Sequence, residues 1–320
     1  MSLASQISPQ ATHEGAADRA GKHAEIMDRR TALFRETALE RCRRVALGTV
    51  WSLRPRRVGK LLPLARVWLS DLVAPRRGVP DPEVRAGDGE FAGMVHDLAP
   101  TTLIAAYRRG LFPKGHFGPL KWVSPVERCV LFFDEYHISR RIRSIMRQDK
   151  YAVTFDQDFE GVIKACAGPR AGRWHLTWIT PRIMQAYAEL YDAGYVHSFE
   201  VWDKAGELVG GGYGVALGGV FVIESQFSRD SNTSKIGFSV LSWHLAKWDF
   251  VLSDNKDATP TALQMGFRMI PRAEYLRDLA AGPEHEGKRG RWEVEAGPRI
   301  VADWRPQAGA ERVANPSIGD

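Results

Sequence analysis

His197–Lys235 reads HSFEVWDKAGELVGGGYGVALGGVFVIESQFSRDSNTSK. The order it predicts is strand, turn, strand, tight turn, strand, then a polar loop that opens a helix. Gly210, Gly211, Gly212 and Gly214 lie within the middle strand. Glycines there mark a bulge or a close approach by ligand or backbone. They lack Walker spacing and precede no strand-to-helix turn, so they are not read as a nucleotide loop. The third strand, Val220–Ile223, runs into Glu224. A carboxylate inside an apolar strand is costly unless it is paired or used. Glu224 is therefore either a core residue with a basic partner or a site residue. The following RDSNTSK offers plain N-caps or, through free backbone N–H groups, a phosphate site.

Outward from this hairpin, helices are predicted near 101–109 (ended by Gly110), 139–150 (capped by Ser139), 158–167, 181–193 (after Thr180-Pro181), 236–248, 259–265 and 272–279. Strands are predicted at 129–133, 151–155, 250–252 and 267–270, and LFPKGHFGPLKWVSP (111–125) reads as a loop. The elements do not alternate strictly, so the fold class is α+β, a mixed central sheet with helices on its faces. Glu224 and Asp254 each interrupt or end an apolar strand before a helix. If those strands are neighbours, the two carboxylates face one cleft and can divide acid and base roles or hold a cationic group. Arg140, Arg141, Arg143 and Arg147 crowd one short helix with no acid until Asp149. That helix is a phosphate-binding candidate, or a solvated face.

The chain has 320 residues, with 44 basic against 38 acidic, a net charge of +6. The surplus is local. Between Arg41 and Arg77 ten Lys/Arg stand against one acid, Asp71. Such an arm is either an amphipathic appendage with solvated arginines or a surface for RNA or membrane. Cys42, Cys129 and Cys166 fit neither a zinc site nor a disulfide framework and are expected as reduced thiols. No metal is expected, because the histidines lack ligand spacing. There is no 18-residue apolar run and no apolar leader region in residues 1–20, so a cytoplasmic protein is expected. The expected organisation is an extension over 1–88 (a disordered start, then basic helices), a region over 89–150 carrying the basic helix, a main domain over 151–280, and a loose tail over 281–320.

YRRGLFP (107–113), WVSP (122–125), HISR (137–140), TWI (177–179), AY (186–187), HSFEVW (197–202), LVGGGYGVALG (208–218), ESQFSR (224–229) and NTSK (232–235) together resemble the leucyl/phenylalanyl-tRNA–protein transferase family, in order and spacing, from about 89 to 279. The resemblance implies a fold similar to the GCN5-related N-acetyltransferases. It implies transfer of an amino acid from aminoacyl-tRNA to the N-terminal amine of an acceptor protein beginning with Arg or Lys, a mark for degradation. No cofactor is implied, and a monomer is expected. By resemblance, Glu224, Asp254 and Lys256 are the catalytic candidates. Trp178, Phe221, Gly212, Gln226, Ser225 and Phe227 are candidates for substrate binding, and Arg140, Arg141, Arg143 and Arg147 for tRNA. The chain departs from the family pattern at Lys256 (a glutamine there), at Thr259 and Thr261 (Asn and His), at Gly212 and Gln226 (methionines) and at Lys114 (a tryptophan). A lost methionine is expected to open the pocket and a glutamine to add a hydrogen-bonding group, shifting preference away from plain Leu or Phe. Two alternatives remain: an acyltransferase of the same fold using another donor, against which the absence of glycine in RDSNTSK speaks, and a tRNA-binding relative without catalysis.

Overall fold

A computed structural model describes residues 21, 24–55, 59, 61–74, 78–83, 89–115, 119–169, 176–281 and 288–306. The expected disordered start falls almost wholly outside them, as does part of the basic arm.

The arm is helical. One helix covers 24–33. The next, α1 (Ala38–Ser52), begins at Thr37, whose side chain and Glu40 form a reciprocal capping box. Then comes α2 (Leu61–Val73), with Pro63 in its first turn, where a missing N–H costs nothing. Arg30 reaches across to Glu160 (2.8 Å) and Asp192 (2.5 Å), fastening the arm to the main body.

A small antiparallel sheet has the order β1 (Phe91–Met94), β3 (Lys121–Val123), β2 (Phe112–Lys114). Two of these strands lie in the stretch read as a loop. Gly115 and Pro119 lie between the two strands, Pro113 lies within β2, and the Phe112 and Trp122 side chains are buried. Helix α3 (Pro100–Tyr107) precedes them, and Gly110 takes φ +69°, the left-handed turn expected of it.

The main sheet has seven strands. These are β4 (Glu127–Phe132), β5 (Ala152–Phe155), β6 (Val196–Trp202), β7 (Leu208–Leu217), β8 (Val220–Ser228), β9 (Leu252–Lys256) and β10 (Arg268–Pro271), in the order β10-β4-β9-β8-β7-β6-β5. Every pairing is antiparallel except β8 with β9. Helices α5 (Phe159–Ala167) and α6 (Pro181–Asp192) cover one face. On the other lie α4 (Arg140–Met146) and α7 (Thr233–Lys247). α7 seats tightly. A Cβ at Gly237 would stand 2.7 Å from both Phe199 Cε2 and Val201 Cγ2 of β6. The short α8 (Pro260–Gln264) and α9 (Arg272–Ala281) follow β9 and β10.

The C-terminal stretch corrects the expectation of a loose tail from 281. Trp292 is fully buried, with its ring stacked 3.6 Å from that of His197, and its backbone N–H bonds Asp156 Oδ2 (2.8 Å). Helix α10 (Pro298–Val301) buries Val301. The charged, Gly-containing composition concealed one aromatic anchor large enough to order the segment.

Candidate active site

Two β-bulges build the site. Along β7 and β8, Tyr213 pairs with Ser225 but Gly214 pairs with Ile223, so Glu224 is the extra residue. Along β4 and β9, Cys129 pairs with Lys256 but Val130 pairs with Asp254, so Asn255 is extra. A bulge re-aims the side chains beside it. The bulges stand where the parallel strands part. β8 and β9 pair as Val220–Leu252, Phe221–Ser253 and Val222–Asp254, and the register ends there. Carried on by the same offset, it sets Glu224 opposite Lys256. Their side chains span the gap the backbones leave, Nζ to Oε1 at 2.8 Å.

Both groups are almost wholly buried. Glu224 Oε1 also accepts from Tyr107 Oη–H (2.6 Å), and Tyr107 Oη lies 2.5 Å from Tyr187 Oη. Glu224 Oε2 makes no hydrogen bond among the described residues. Burial holds the Lys256 amine below its ordinary pKa, with Glu224 pulling the other way. Burial likewise drives the Tyr107 hydroxyl upward, with Glu224 adding to it, so Tyr107 stays a protonated donor. Glu224 is thus both things the strand pattern allowed: a buried residue with a basic partner and part of a cavity wall.

That cavity has a volume of about 870 Å³. Its lining includes Lys256 and Glu224, the Glu224 side chain fully buried beneath it. One wall is apolar (Ile223, Phe238, Ala262, Met265, Phe267), and another holds Cys166, Leu176, Trp178 and Ile179. Ser225, Gln226, Thr259 and Thr261 also line it. Thr259 Oγ1 caps α8 by accepting from Ala262 N–H (3.1 Å). Lys114, where the family carries tryptophan, pairs with Asp257 at 2.9 Å, and both line the cavity. A concave site with mixed apolar walls and a few convergent polar groups suits a small organic moiety.

Other expected residues fall elsewhere. Asp254 lies beneath the cavity. Its carboxylate is bound by the Arg128 guanidinium and accepts the Lys256 backbone N–H at 2.8 Å. Lys256 takes φ +65°, a left-handed conformation unusual for lysine, and that N–H bond holds it there. Asp254 therefore touches the Lys256 backbone and not the cavity. The strand also runs further than expected, Leu252–Lys256, which is what brings Lys256 to the cavity. Phe221, Phe227 and Gly212 are not among the described residues lining the cavity. Phe221 packs towards Trp292, at 6.0 Å between rings, and Arg229 lies 5.7 Å over the Phe227 ring. No volume opens at Gly212: a Cβ there would meet Gln226 Cγ at 2.7 Å and Phe199 Cε1 at 2.8 Å.

The basic helix α4 divides. Arg143 is buried and donates to the carbonyls of Ile138 (2.9 Å), Ala302 (2.6 Å) and Trp304 (2.8 Å). Arg147 pairs with Asp303 at 2.5 Å. These two clamp the C-terminal segment, while Arg140 and Arg141 are exposed. The loop before α7 is also committed internally, with Ser228 Oγ accepting from Ser234 N–H at 3.1 Å. Among the described residues, no group of three or more His, Cys, Asp or Glu stands close enough to hold a metal ion.

Sequence reasoning missed Tyr107, Tyr187 and Arg128. The tyrosines stood inside quoted motifs, YRRGLFP and AY. Arg128 had a visible signal, a lone cation next to the apolar run CVLFF.

Comparison with known proteins places the chain in a family. The family model described as leucyl/phenylalanyl-tRNA protein transferase matches residues 130–280, and the model for that family's N-terminal domain matches 96–126. The chain is 51% identical over 184 residues to the leucyl/phenylalanyl-tRNA–protein transferase of Pseudomonas syringae pv. syringae (strain B728a), covering 56% of this chain and 80% of that one. It is 48% identical over 180 residues to the one from Azotobacter vinelandii (strain DJ / ATCC BAA-1303), covering 56% and 79%. Similarity to the solved structure of L-PGS from Bacillus licheniformis is slight: 14% identity, 45% of each chain and a TM-score of 0.29, too low to bear on the fold. With the paired models covering β2, β3 and the bulged β7–β9 strands, and with relatives matched over about four fifths of their own length, the chain belongs to the leucyl/phenylalanyl-tRNA–protein transferase family.

Proposed function

We propose that the cavity over Glu224 and Lys256 is where an aminoacyl ester of tRNA meets the N-terminal amine of an acceptor protein. Family membership makes the chain an aminoacyl-tRNA-dependent transferase acting on protein amino termini. The nitrogen lone pair attacks the ester carbonyl, a C–N bond forms, and the C–O bond to the terminal ribose breaks. The amine proton finally resides on the leaving ribose oxygen. A neutral amine must be held about 3 Å from the carbonyl, and the oxyanion must be stabilised.

The observation that carries the assignment is a buried amine and carboxylate in contact at the cavity: Lys256 Nζ lies 2.8 Å from Glu224, whose Oε2 is buried without a hydrogen-bond partner among the described residues. The Glu224 carboxylate, closed off in this structure, takes the amine's proton once the substrates seat, while Lys256 Nζ donates to the developing oxyanion. Asp254, Arg128 and Tyr107 are positioning residues. The apolar wall from Ile223 to Phe267 suits a Leu- or Phe-like side chain, with Gln226 at its margin. Trp178, 6.2 Å edge-on from Tyr187, offers a face for the terminal adenine. Exposed Arg140 and Arg141 supply phosphate contacts for the acceptor stem. A single parallel pair that parts at the site, within an otherwise antiparallel sheet, supports the GCN5-related architecture.

The test is transfer of labelled leucine or phenylalanine from tRNA to a peptide beginning with arginine. Glu224→Gln should abolish transfer while binding of charged tRNA persists. Transfer at the unaltered rate would remove Glu224 from the chemistry.

A further inference from the structure

We propose that the amino-terminal arm rests this enzyme on an anionic lipid surface. The arm is fastened inward. Asp71 of α2 pairs with His96 at 2.9 Å, and the buried residues of α1, Gly48 and Ser52, lie on its inner side. Each outward side carries a stripe of aliphatic residues. Along α1 the positions 39, 43, 46 and 50 are spaced four, three and four apart. Along α2 the positions 62, 66, 69 and 73 repeat that spacing, so each set forms one face. The residues are Leu39, Arg43, Ala46 and Val50 on one helix, and Leu62, Arg66, Leu69 and Val73 on the other. All are exposed, Leu39 at 79% and Val73 at 87%. Leucine and valine stripes left in water are the mark of an interaction face.

Charge selects the occupant. Each stripe carries one arginine and no acid. The acids between Glu36 and Val73 are turned to other work: Glu36 binds Arg44 (2.8 Å), Glu40 closes the capping box, and Asp71 binds His96. The partner of each stripe must therefore accept aliphatic groups and a cation together. Nucleic acid answers the arginines but offers the leucines nothing. A second copy of this chain, packed symmetrically, would bring like arginines together with no acid between them. The boundary of an anionic bilayer offers phosphates and acyl chains within one side-chain length, and arginine stems reach from one to the other. Among the described residues no helix is long and apolar enough to cross a membrane, so the arm lies on the surface.

The full chain is to be sedimented with vesicles of equal parts phosphatidylglycerol and phosphatidylcholine, and with vesicles of phosphatidylcholine alone. Binding is expected to the first and to weaken with salt. Leu39→Asp combined with Leu69→Asp should reduce it by about tenfold or more, and Arg43→Glu with Arg66→Glu should do likewise. Aminoacyl transfer in solution should be unchanged in both variants, which shows that they fold. Four results would each overturn the proposal: failure of the wild type to sediment, equal sedimentation of the variants, a wild-type dimer lost in the leucine variant, or loss of tRNA binding in that variant.

Discussion

Lys256→Met removes the amine that faces Glu224 and leaves the packing of its stem. At 2.8 Å and an effective dielectric near 20, the attraction between the two charges is about 6 kcal/mol. Desolvating both groups consumes most of that, so the pair itself adds little stability. Its two halves nevertheless depend on each other. Without the amine, Glu224 is a buried carboxylate with one tyrosine donor, and the variant should lose about 3–5 kcal/mol. Lys256→Met with Glu224→Gln removes both charges and should recover at least half of that loss, a coupling of about 2 kcal/mol or more. Urea unfolding followed by tryptophan fluorescence measures all four corners of the cycle. Glu224→Gln alone should behave asymmetrically. It leaves an amine whose folded-state pKa burial holds below 10.5. Such a group binds fewer protons in the folded than in the unfolded chain, so this variant should gain stability as pH rises towards 10.5 and lose it as pH falls. A Lys256→Met penalty under about 1 kcal/mol, or single penalties that simply add, would refute the mutual dependence.

Burial raises the Glu200 carboxyl to about 7, against hydrogen bonds from Ser198 Oγ and Thr154 Oγ1, each at 2.6 Å. Its stabilising effect is present below about pH 4.5 and fades as pH climbs through 7, a swing of about 3 kcal/mol; Glu200→Gln should flatten this dependence in unfolding curves taken from pH 5 to 8. Tyr107→Phe deletes a donor to Glu224 and should slow single-turnover transfer by tenfold or more, about 1–3 kcal/mol, with tRNA affinity unchanged. Trp292→Ala should cost about 3–5 kcal/mol of stability by calorimetry or urea, because that ring is fully buried against His197. Arg140→Ala with Arg141→Ala should weaken tRNA binding and lower its salt slope by about two, whereas Arg143→Ala should show itself in stability.

The hairpin and most helices were legible because apolar periodicity and caps are local. Thr180-Pro181, Ser139 and Asp158 each open the helix they announced. Glu224 drew notice for the right reason, a carboxylate among Val and Ile. The bulge at Glu224 was not legible, since an extra residue shows only against its partner strand. SDNK lacks apolar alternation, so the sequence shows β9 only to Leu252, although Ser253 and Asp254 are fully buried. The Arg128–Asp254 pair joins residues 126 positions apart, beyond any local pattern. Family comparison supplied roles for Asp254, Phe221 and Gly212 that their geometry qualifies: the first acts from behind Lys256, and the other two stand off the cavity wall.

The central claim is that an ester carbonyl and a free amine meet over Glu224 and Lys256. Single-turnover transfer of labelled phenylalanine from tRNA measures it, with an arginine-starting peptide and the same peptide N-acetylated. Label should pass to the free amine alone, and Glu224→Gln should stop it. Charged tRNA bound without transfer to either peptide, or equal labelling of both, would contradict the account.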